Sequence, residues 1–384
     1  MIYFDHNATT PPAPAVLAAV VETLSGCWAN SSSQHGPGQQ ARRVLAAARA
    51  TVARVLGCKP AEVIFTSGAT EANHLAVRGL LAAAPVGRRR VLFSRVEHAG
   101  HLRLARALAE SGVPVEHLPV HADGTLDLAA AASLMGPDVA LVSLMAANNE
   151  TGVLMPVSEV AALAHAAGAA LHVDATQFIG KLPFDFVASG ADAVSFSAHK
   201  LQGPKGCGAL LLRQGTALQP QTLGSQERGR RGGTENLPAI AGLAAALEAL
   251  GDANEQAAEA RRQAALRDTL EQGLLRALPA THVWSRGVPR LPGTSYLRFG
   301  ALPAELVLQR LERLGVAASS GAACSSGGSE PSHVLTAMGV PADEALCAVR
   351  LSLGRGSTES EVMALLDSLP PLLAPLLQQE TAAA

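Results

Sequence analysis

Between residue 60 and about residue 210 the chain repeats one pattern: a short apolar run, a few small polar residues or glycines, then a stretch of helical composition. Val63 to Phe65, Val91 to Phe93, Val139 to Met145, Ala169 to Val173 and the run after Asp192 are the apolar members. Strands that alternate with helices in this way predict a mostly parallel sheet wrapped by helices. In such open sheets, ligands collect in the crevice outside the carboxyl ends of the strands. The residues just after each run are therefore the ones to read for chemistry.

Lys200 follows the run that starts at Asp192, and the glycines and proline of Leu201 to Gly208 break any regular continuation. Burial at such a place can lower the pKa of a lysine and free its amine for Schiff-base chemistry. A solvated charge is the alternative. Thr66-Ser-Gly-Ala-Thr70 joins a strand to a helix, and free backbone N–H groups together with the helix dipole there would cradle one phosphate. Thr70 acting only as a helix cap is the plainer reading. His98 falls just beyond Val91 to Phe93, and Asp174 just beyond Ala169 to Val173, so that Asp174 and Lys200 stand at neighbouring strand mouths. The amides of Asn148 and Asn149 would either orient a ligand or build a turn.

The remainder of the chain is read more coarsely. Helices are expected over Pro14 to Leu24 and Gln39 to Leu56, with a loop at Asn30 to Gly38. Arg88 to Arg90 reads as a solvated charge run, and Gln221 to Asn236 as a long mobile loop. Helix follows from Ala239 to Leu278 with a break at Gly251-Asp252. A second, α+β unit comes next, with strands near Gly293 to Phe299 and Arg350 to Leu353 and a helix from Pro303 to Leu314. At 384 residues two domains are expected: a larger one over 13–255, and a smaller one from 1–12 with 256–384.

Composition narrows the function classes. A formal net charge of −2 provides no general field for nucleic acid or anionic membrane. The cysteines (Cys27, Cys58, Cys207, Cys324 and Cys347) are scattered without a CxxC spacing, which argues against a disulfide framework or a structural zinc site and points to a reducing cytosol. The opening Met1 to Thr10 lacks the features of a signal peptide. Asp367, Ser368 and the prolines are expected to interrupt the apolar stretch Leu365 to Leu377 too often for a membrane-spanning helix, so a soluble, cytoplasmic protein is expected.

A pyridoxal phosphate site needs a lysine for the aldehyde, an acid for the pyridine nitrogen, a phosphate cup and a cover for the ring. Lys200, Asp174, Gly68 to Thr70 and His98 supply these parts, each at a strand end. With them in view, the chain resembles the cysteine desulfurases of the NifS/IscS type, in the class V aminotransferase group of fold-type I pyridoxal phosphate enzymes. The resemblance is carried by Asp5 to Thr10, Thr66 to Glu71, Asn148 to Gly152, His172 to Gln177, Ser197 to Lys200, Arg230 to Asn236, Ser319 to Gly327 and Glu330 to Leu335. It implies a PLP-dependent transferase fold, α/β, with a large domain on a mostly parallel mixed sheet and a smaller α+β domain.

Residue by residue, the resemblance implies that Lys200 forms the internal aldimine and moves protons on the substrate. Asp174 would pair with the pyridinium nitrogen, Gln177 would bond the ring hydroxyl and His98 would stack on the ring. Ala69, Thr70, Ser197 and His199 would hold the phosphate, and Thr234 would reach the phosphate of a partner subunit, which implies a homodimer. Asn149 and Arg350 would receive L-cysteine, with Arg350 clamping its α-carboxylate. Cys324 would be the thiolate nucleophile that takes the sulfur, leaving L-alanine and a persulfide for an acceptor such as an iron–sulfur scaffold or a tRNA-thiolation protein. No resident metal is implied; Cys324 would at most ligate a cluster transiently on a scaffold. The rival readings are a class V aminotransferase or selenocysteine lyase, and a non-catalytic partner in iron–sulfur assembly. His6 departs from the pattern, standing where many relatives carry asparagine or tyrosine, and the pair Gly100-His101 belongs to no motif.

Overall fold

The computed structural model describes residues 1–321 and 330–383. Its strands in chain order are β1 (Ile2–Tyr3), β2 (Val63–Thr66), β3 (Arg90–Ser94), β4 (Val115–Leu118), β5 (Val139–Met145), β6 (Ala170–Asp174), β7 (Ala193–Ser197) and β8 (Gly208–Leu212), then β9 (Thr281–Val283), β10 (Thr294–Phe299), β11 (Val316–Ala317) and β12 (Val349–Ser352). A seven-stranded sheet has the order β2-β8-β7-β6-β5-β3-β4. Strands β4, β3, β5, β6 and β7 run parallel. β8 alone opposes both of its neighbours. The stretch 198–207 is too short to carry a helical crossover, so the chain can only return antiparallel after β7.

Side-chain alternation divides this sheet between two cores. Val63, Phe65, Leu92, Val142 and Val194 pack on one face. Ile64, Val91, Phe93, Leu141 and Ala193 pack on the other. The first face is covered by α2 (Gly36–Leu56) and the helix Leu237–Glu248, and α1 (Pro14–Gly26) lies against that second helix. The opposite face is covered by α3 (Ala69–Ala82) and α4 (Ala99–Glu110). Full burial of each Leu or Phe contributes about 1.5–3 kcal/mol.

Local chemistry explains where the helices start. α2 begins at Gly36, ahead of the expected Gln39, because His35 Nδ1 accepts from Gly38 N at 3.2 Å and Pro37 suits the first turn. The predicted break between the later helices is present: Asp252 caps Ala253–Ala277, accepting from Asn254 N and Glu255 N.

A third core gathers Phe4, Leu270, Leu297, Phe299, Leu351, Leu365 and Leu369. It lies on the antiparallel sheet β12-β10-β9, and β1 pairs in parallel with β11 beside it. The terminal helix Glu359–Ala383 runs straight through Pro370, Pro371 and Pro375, where the sequence predicted interruption. Each interior proline costs about 3 kcal/mol of helix propensity. Val362, Leu365, Leu369 and Leu373, all buried at helical spacing, offset that loss. By length and hydropathy alone Glu359–Gln379 could cross a bilayer, but here its apolar stripe is packed inward.

Two loop expectations are corrected. Arg88 Nη1 donates to Val139 O and Ala167 O, and Arg90 pairs with Asp138 and Glu116, so this run satisfies strand-end carbonyls and carboxylates. Within Gln221 to Asn236, Glu227 is buried, bonds both Arg49 Nη atoms at 2.7 Å and accepts from Phe65 N. That loop is anchored to the large sheet.

Candidate active site

At the carboxyl ends of the parallel strands lies a cavity of about 610 Å3. Ala69, Thr70, His98, Asn149, Asp174, Gln177, Ser197, His199 and Lys200, all singled out from sequence, line it together. Each comes from the end of a strand or the turn after it, and in-register parallel pairing brings those ends side by side.

Lys200 closes the short 3-10 turn Ala198–Lys200 that follows β7. Its Nζ donates to Asn7 O at 2.6 Å and Ala8 O at 2.7 Å. The amino-terminal segment is thus a wall of the cavity, and Thr9 reinforces it by pairing its hydroxyl with His199 Nδ1 at 3.1 Å. Burial, with Lys200 and Lys205 nearby, pushes the His199 imidazole down to about 4.

Asp174 ends β6. Its Oδ2 accepts from Asn73 Nδ2 at 2.7 Å and its Oδ1 from Thr176 N at 3.0 Å. Burial alone would raise this carboxyl; the His101 ring, Thr176 and Asn73 together hold it below the ordinary carboxylate range. Asp174 is therefore an anion aligned by fixed donors.

His98 caps α4, its Nδ1 accepting from Gly100 N at 3.2 Å. That bond needs a lone pair on Nδ1. Burial lowers the imidazole; Asp174 resists, while Lys200, His101 and His333 add to the lowering. The ring is neutral with its tautomer fixed, as an uncharged cover over a ligand requires.

At one corner of the cavity lies the strand-to-helix turn that the sequence analysis read as a phosphate cradle. α3 starts at Ala69, so Ala69 and Thr70 occupy its first turn, with Ser67, Ser197, His199 and Gly206 around them. A Cβ on Gly208 would lie 2.7 Å from Gly68 Cα, so glycine there lets β8 approach the helix start. Glu71, in the same turn, is turned to Arg231 at 2.6 Å. Burial would raise its carboxyl, but Arg231 and Ser67 hold it below the ordinary range.

Sequence reasoning missed Asn73, Asn7 and Lys181. Lys181 Nζ donates to Asn7 Oδ1 and Gln177 Oε1, and Gln177 Nε2 donates to Asn7 O at 2.9 Å. Burial pushes the Lys181 amine well below the usual lysine range, and Lys200 and Arg350 push it the same way. The lysine four residues after Gln177 was the available signal.

Two predicted residues stand outside the cavity, and a third lies outside the described residues. Arg350 is buried behind Asn149, donating to Asn149 O at 2.8 Å and, through Nη2, to Asp5 Oδ1 and Ser319 Oγ at 2.9 Å. Thr234 lines a neighbouring cleft with Ser67, Gly206 and Arg231. Cys324 is the residue outside the described ones. Among the other cysteines, burial pushes the Cys58 and Cys207 thiols up to about 12, which makes them poor nucleophiles.

Comparison with known proteins agrees along the length of the chain. The model of the aminotransferase class-V family matches residues 2–365. A cysteine desulfurase of Cereibacter sphaeroides is 46% identical over 375 residues, covering 97% of this chain and 95% of that protein. The cysteine desulfurase NifS of Azotobacter vinelandii is 43% identical over 380 residues, covering 98% and 93%. Among solved structures, a NifS-like protein superposes with a TM-score of 0.89 at 34% identity, covering 97% and 99% of the two chains. A structure described as SspA in complex with cysteine superposes at 0.81 with 30% identity, covering 93% and 100%. With a strand-end lysine and a buried carboxylate sharing one cavity, and relatives matched from end to end, the chain belongs to the class-V aminotransferase family, in its cysteine desulfurase branch.

Proposed function

We propose that this protein is a pyridoxal phosphate-dependent cysteine desulfurase that turns L-cysteine into L-alanine and leaves the sulfur as a persulfide on Cys324. The observation that carries the reading is one cavity, within the roughly 300–1,000 Å3 usual for cofactor sites, lined by both Lys200 and Asp174. The residues fit a phosphorylated pyridine. Helix-start amides and hydroxyls gather at one corner, an anionic carboxylate is available to a ring nitrogen, and Thr176 Oγ1 and Asn149 Oδ1 are buried without a hydrogen-bond partner among the described residues.

Bound there, the cofactor supplies an electron sink for the pair left at the substrate α-carbon. The chain's own residues do the rest. Thr70, Ser197, His199 and the start of α3 hold the phosphate, Asp174 accepts from the ring nitrogen, Gln177 bonds the ring hydroxyl, and His98 covers the ring and keeps water away. Lys200 takes the proton from the α-carbon and returns one to the product. Asn149 and Arg350 receive the substrate, and Arg350 meets its carboxylate only as Asp5 yields part of the guanidinium fork. The Cys324 thiolate takes the sulfur, so that one L-cysteine and one thiol become one L-alanine and one persulfide. An iron–sulfur scaffold or a tRNA-thiolation protein is the acceptor.

A homodimer and a cytoplasmic setting belong to the same reading. In the dimer Thr234 contributes to the partner's phosphate site. Self-association is supported by an exposed stripe on α1 and just beyond, where Leu17, Val21, Leu24 and Trp28 are 54–77% exposed. A reducing compartment suits the described cysteines, which are free thiols. The division into 13–255 and 1–12 with 256–384 is supported by the pairing of Ile2–Tyr3 with Val316–Ala317.

The test is a product assay. Protein loaded with pyridoxal phosphate should release alanine and sulfide from L-cysteine in the presence of a reductant, and Cys324→Ala should lose the sulfide while keeping the visible cofactor band. Lys200→Ala should lose both. Transamination of L-cysteine at an undiminished rate in Cys324→Ala would instead identify an aminotransferase.

A further inference from the structure

Gln177 is held in a frame of hydrogen bonds that the reaction above does not use. The turn after β6 closes with Gly180 at φ 89°, in the left-handed region, where a Cβ would also lie 2.5 Å from that of Leu201. Glycine at that place brings the next residue, Lys181, back against Gln177. Lys181 Nζ donates to Gln177 Oε1 and to Asn7 Oδ1. Gln177 Nε2 donates to Asn7 O at 2.9 Å, and Asn7 Nδ2 donates to Asn149 O at 3.2 Å and to Thr294 Oγ1 at 3.0 Å. Asn7 O also accepts from Lys200 Nζ at 2.6 Å. One backbone carbonyl thus ties together an amine and an amide that both line the cavity.

The neighbours fix which way each amide faces. A backbone carbonyl only accepts, so Asn7 O must meet the nitrogen of the Gln177 amide, and Asn149 O the nitrogen of the Asn7 amide. Both side-chain oxygens are then left to Lys181. A neutral amine and an ammonium each have the two N–H bonds that these contacts need. The frame therefore does not depend on the charge of Lys181, which lies near Lys200, Arg350 and His6. A primary amide carries two N–H bonds. Among the described residues Gln177 uses one of them, on Asn7 O, which leaves the other for whatever fills the cavity.

We propose that Lys181 and Asn7 are positioning residues: with its oxygen held by Lys181 and one N–H by Asn7, the Gln177 amide can present only a donor to the cofactor ring, so the site favours a ring oxygen that is an anion. Without Lys181 the amide could turn over and offer its oxygen, which a neutral hydroxyl would suit as well. The inference rests on the cofactor reading above, and it gives a part to two residues that sequence alone did not single out.

The test compares pyridoxal phosphate with 3-deoxypyridoxal phosphate, which lacks the ring hydroxyl. Wild type should bind the first more tightly on the order of ten- to hundred-fold, the range of one hydrogen bond to a charged group. Lys181→Met keeps most of the side chain and removes the donor. It should shrink that preference about ten-fold while leaving the affinity for the deoxy compound near wild type. The pH midpoint of the visible cofactor band should rise in the same variant, because a ring oxygen with one donor fewer holds the neighbouring proton more tightly. Lys181→Leu carries the same expectations, and Lys181→Arg, which still donates to both oxygens, should restore the preference and the midpoint. A merely structural lysine would weaken both compounds alike and leave the midpoint in place. Equal affinities in wild type, or an unchanged preference and midpoint in Lys181→Met or Lys181→Leu, would overturn the inference while leaving the cofactor reading intact. A wild-type protein that develops no visible band with pyridoxal phosphate would overturn both.

Discussion

His6 shows how far a single side chain near the cavity is committed to one protonation state. It is buried, Tyr3 meets it edge-on at 5.0 Å, and a Cβ on Gly354 would lie 2.4 Å from its ring. Burial and the Lys181 charge push its imidazole down from 6.5 to about 4. Above pH 6.5 the ring is neutral in both the folded and the unfolded chain, and the full stability is present. As pH falls from 6.5 to 4 the unfolded chain takes up this proton first, and up to about 3 kcal/mol is lost. Urea midpoints for His6→Gln should therefore fall less steeply with acidification than those of wild type. Legibility at this scale depended on position: Lys200, Asp174, His98 and Thr70 each follow an apolar run, and sequence alone picked them out. Asn73 lines the same cavity from a helix, and Lys181 bonds Gln177 in its wall from a later turn, so three-dimensional proximity is what gives them a part.

At the scale of elements, the alternating pattern gave β2, β3, β5, β6 and β7 to within a residue or two and missed β4, the parallel strand at the sheet edge. What it left out were features set by connection length and tertiary contact. The reversal of β8 follows from the short 198–207 link, and the terminal helix survives its prolines because one face is packed. The 221–236 loop shows the same dependence. Its anchor, Glu227, is a buried carboxylate whose partner Arg49 sits on α2, far away in sequence, so composition alone read the segment as mobile. Arg49→Met should leave that carboxylate unpaired and cost about 3–5 kcal/mol. A chemical denaturation curve measures the loss, and faster proteolysis within 221–236 should accompany it. Replacing Arg49 and Glu227 together by apolar residues should recover part of the stability.

For the whole molecule, the apolar stripe formed by Leu17, Val21, Leu24 and Trp28 is the surface on which a second copy would sit. Trp28→Glu with Leu24→Glu should shift sedimentation from dimer to monomer, and cofactor affinity should fall with it if Thr234 completes the partner's phosphate site. A monomeric wild type at micromolar concentration would remove that assignment. Sequence reached the overall architecture through its periodicity, but it could not show that the first residues close the cavity. Those residues are held by the last third of the chain: Ile2 and Tyr3 pair with Val316 and Ala317, His6 N donates to Ser352 O, and Asn7 N to Ser352 Oγ. During synthesis the amino-terminal strand must therefore wait, unpaired, until residue 317 has left the ribosome, and His6 and Asn7 until residue 352 has. A cofactor taken up in this cavity would thus be captured only towards the end of translation, and an extension fused ahead of Met1 would burden the pocket more than one placed after the final helix.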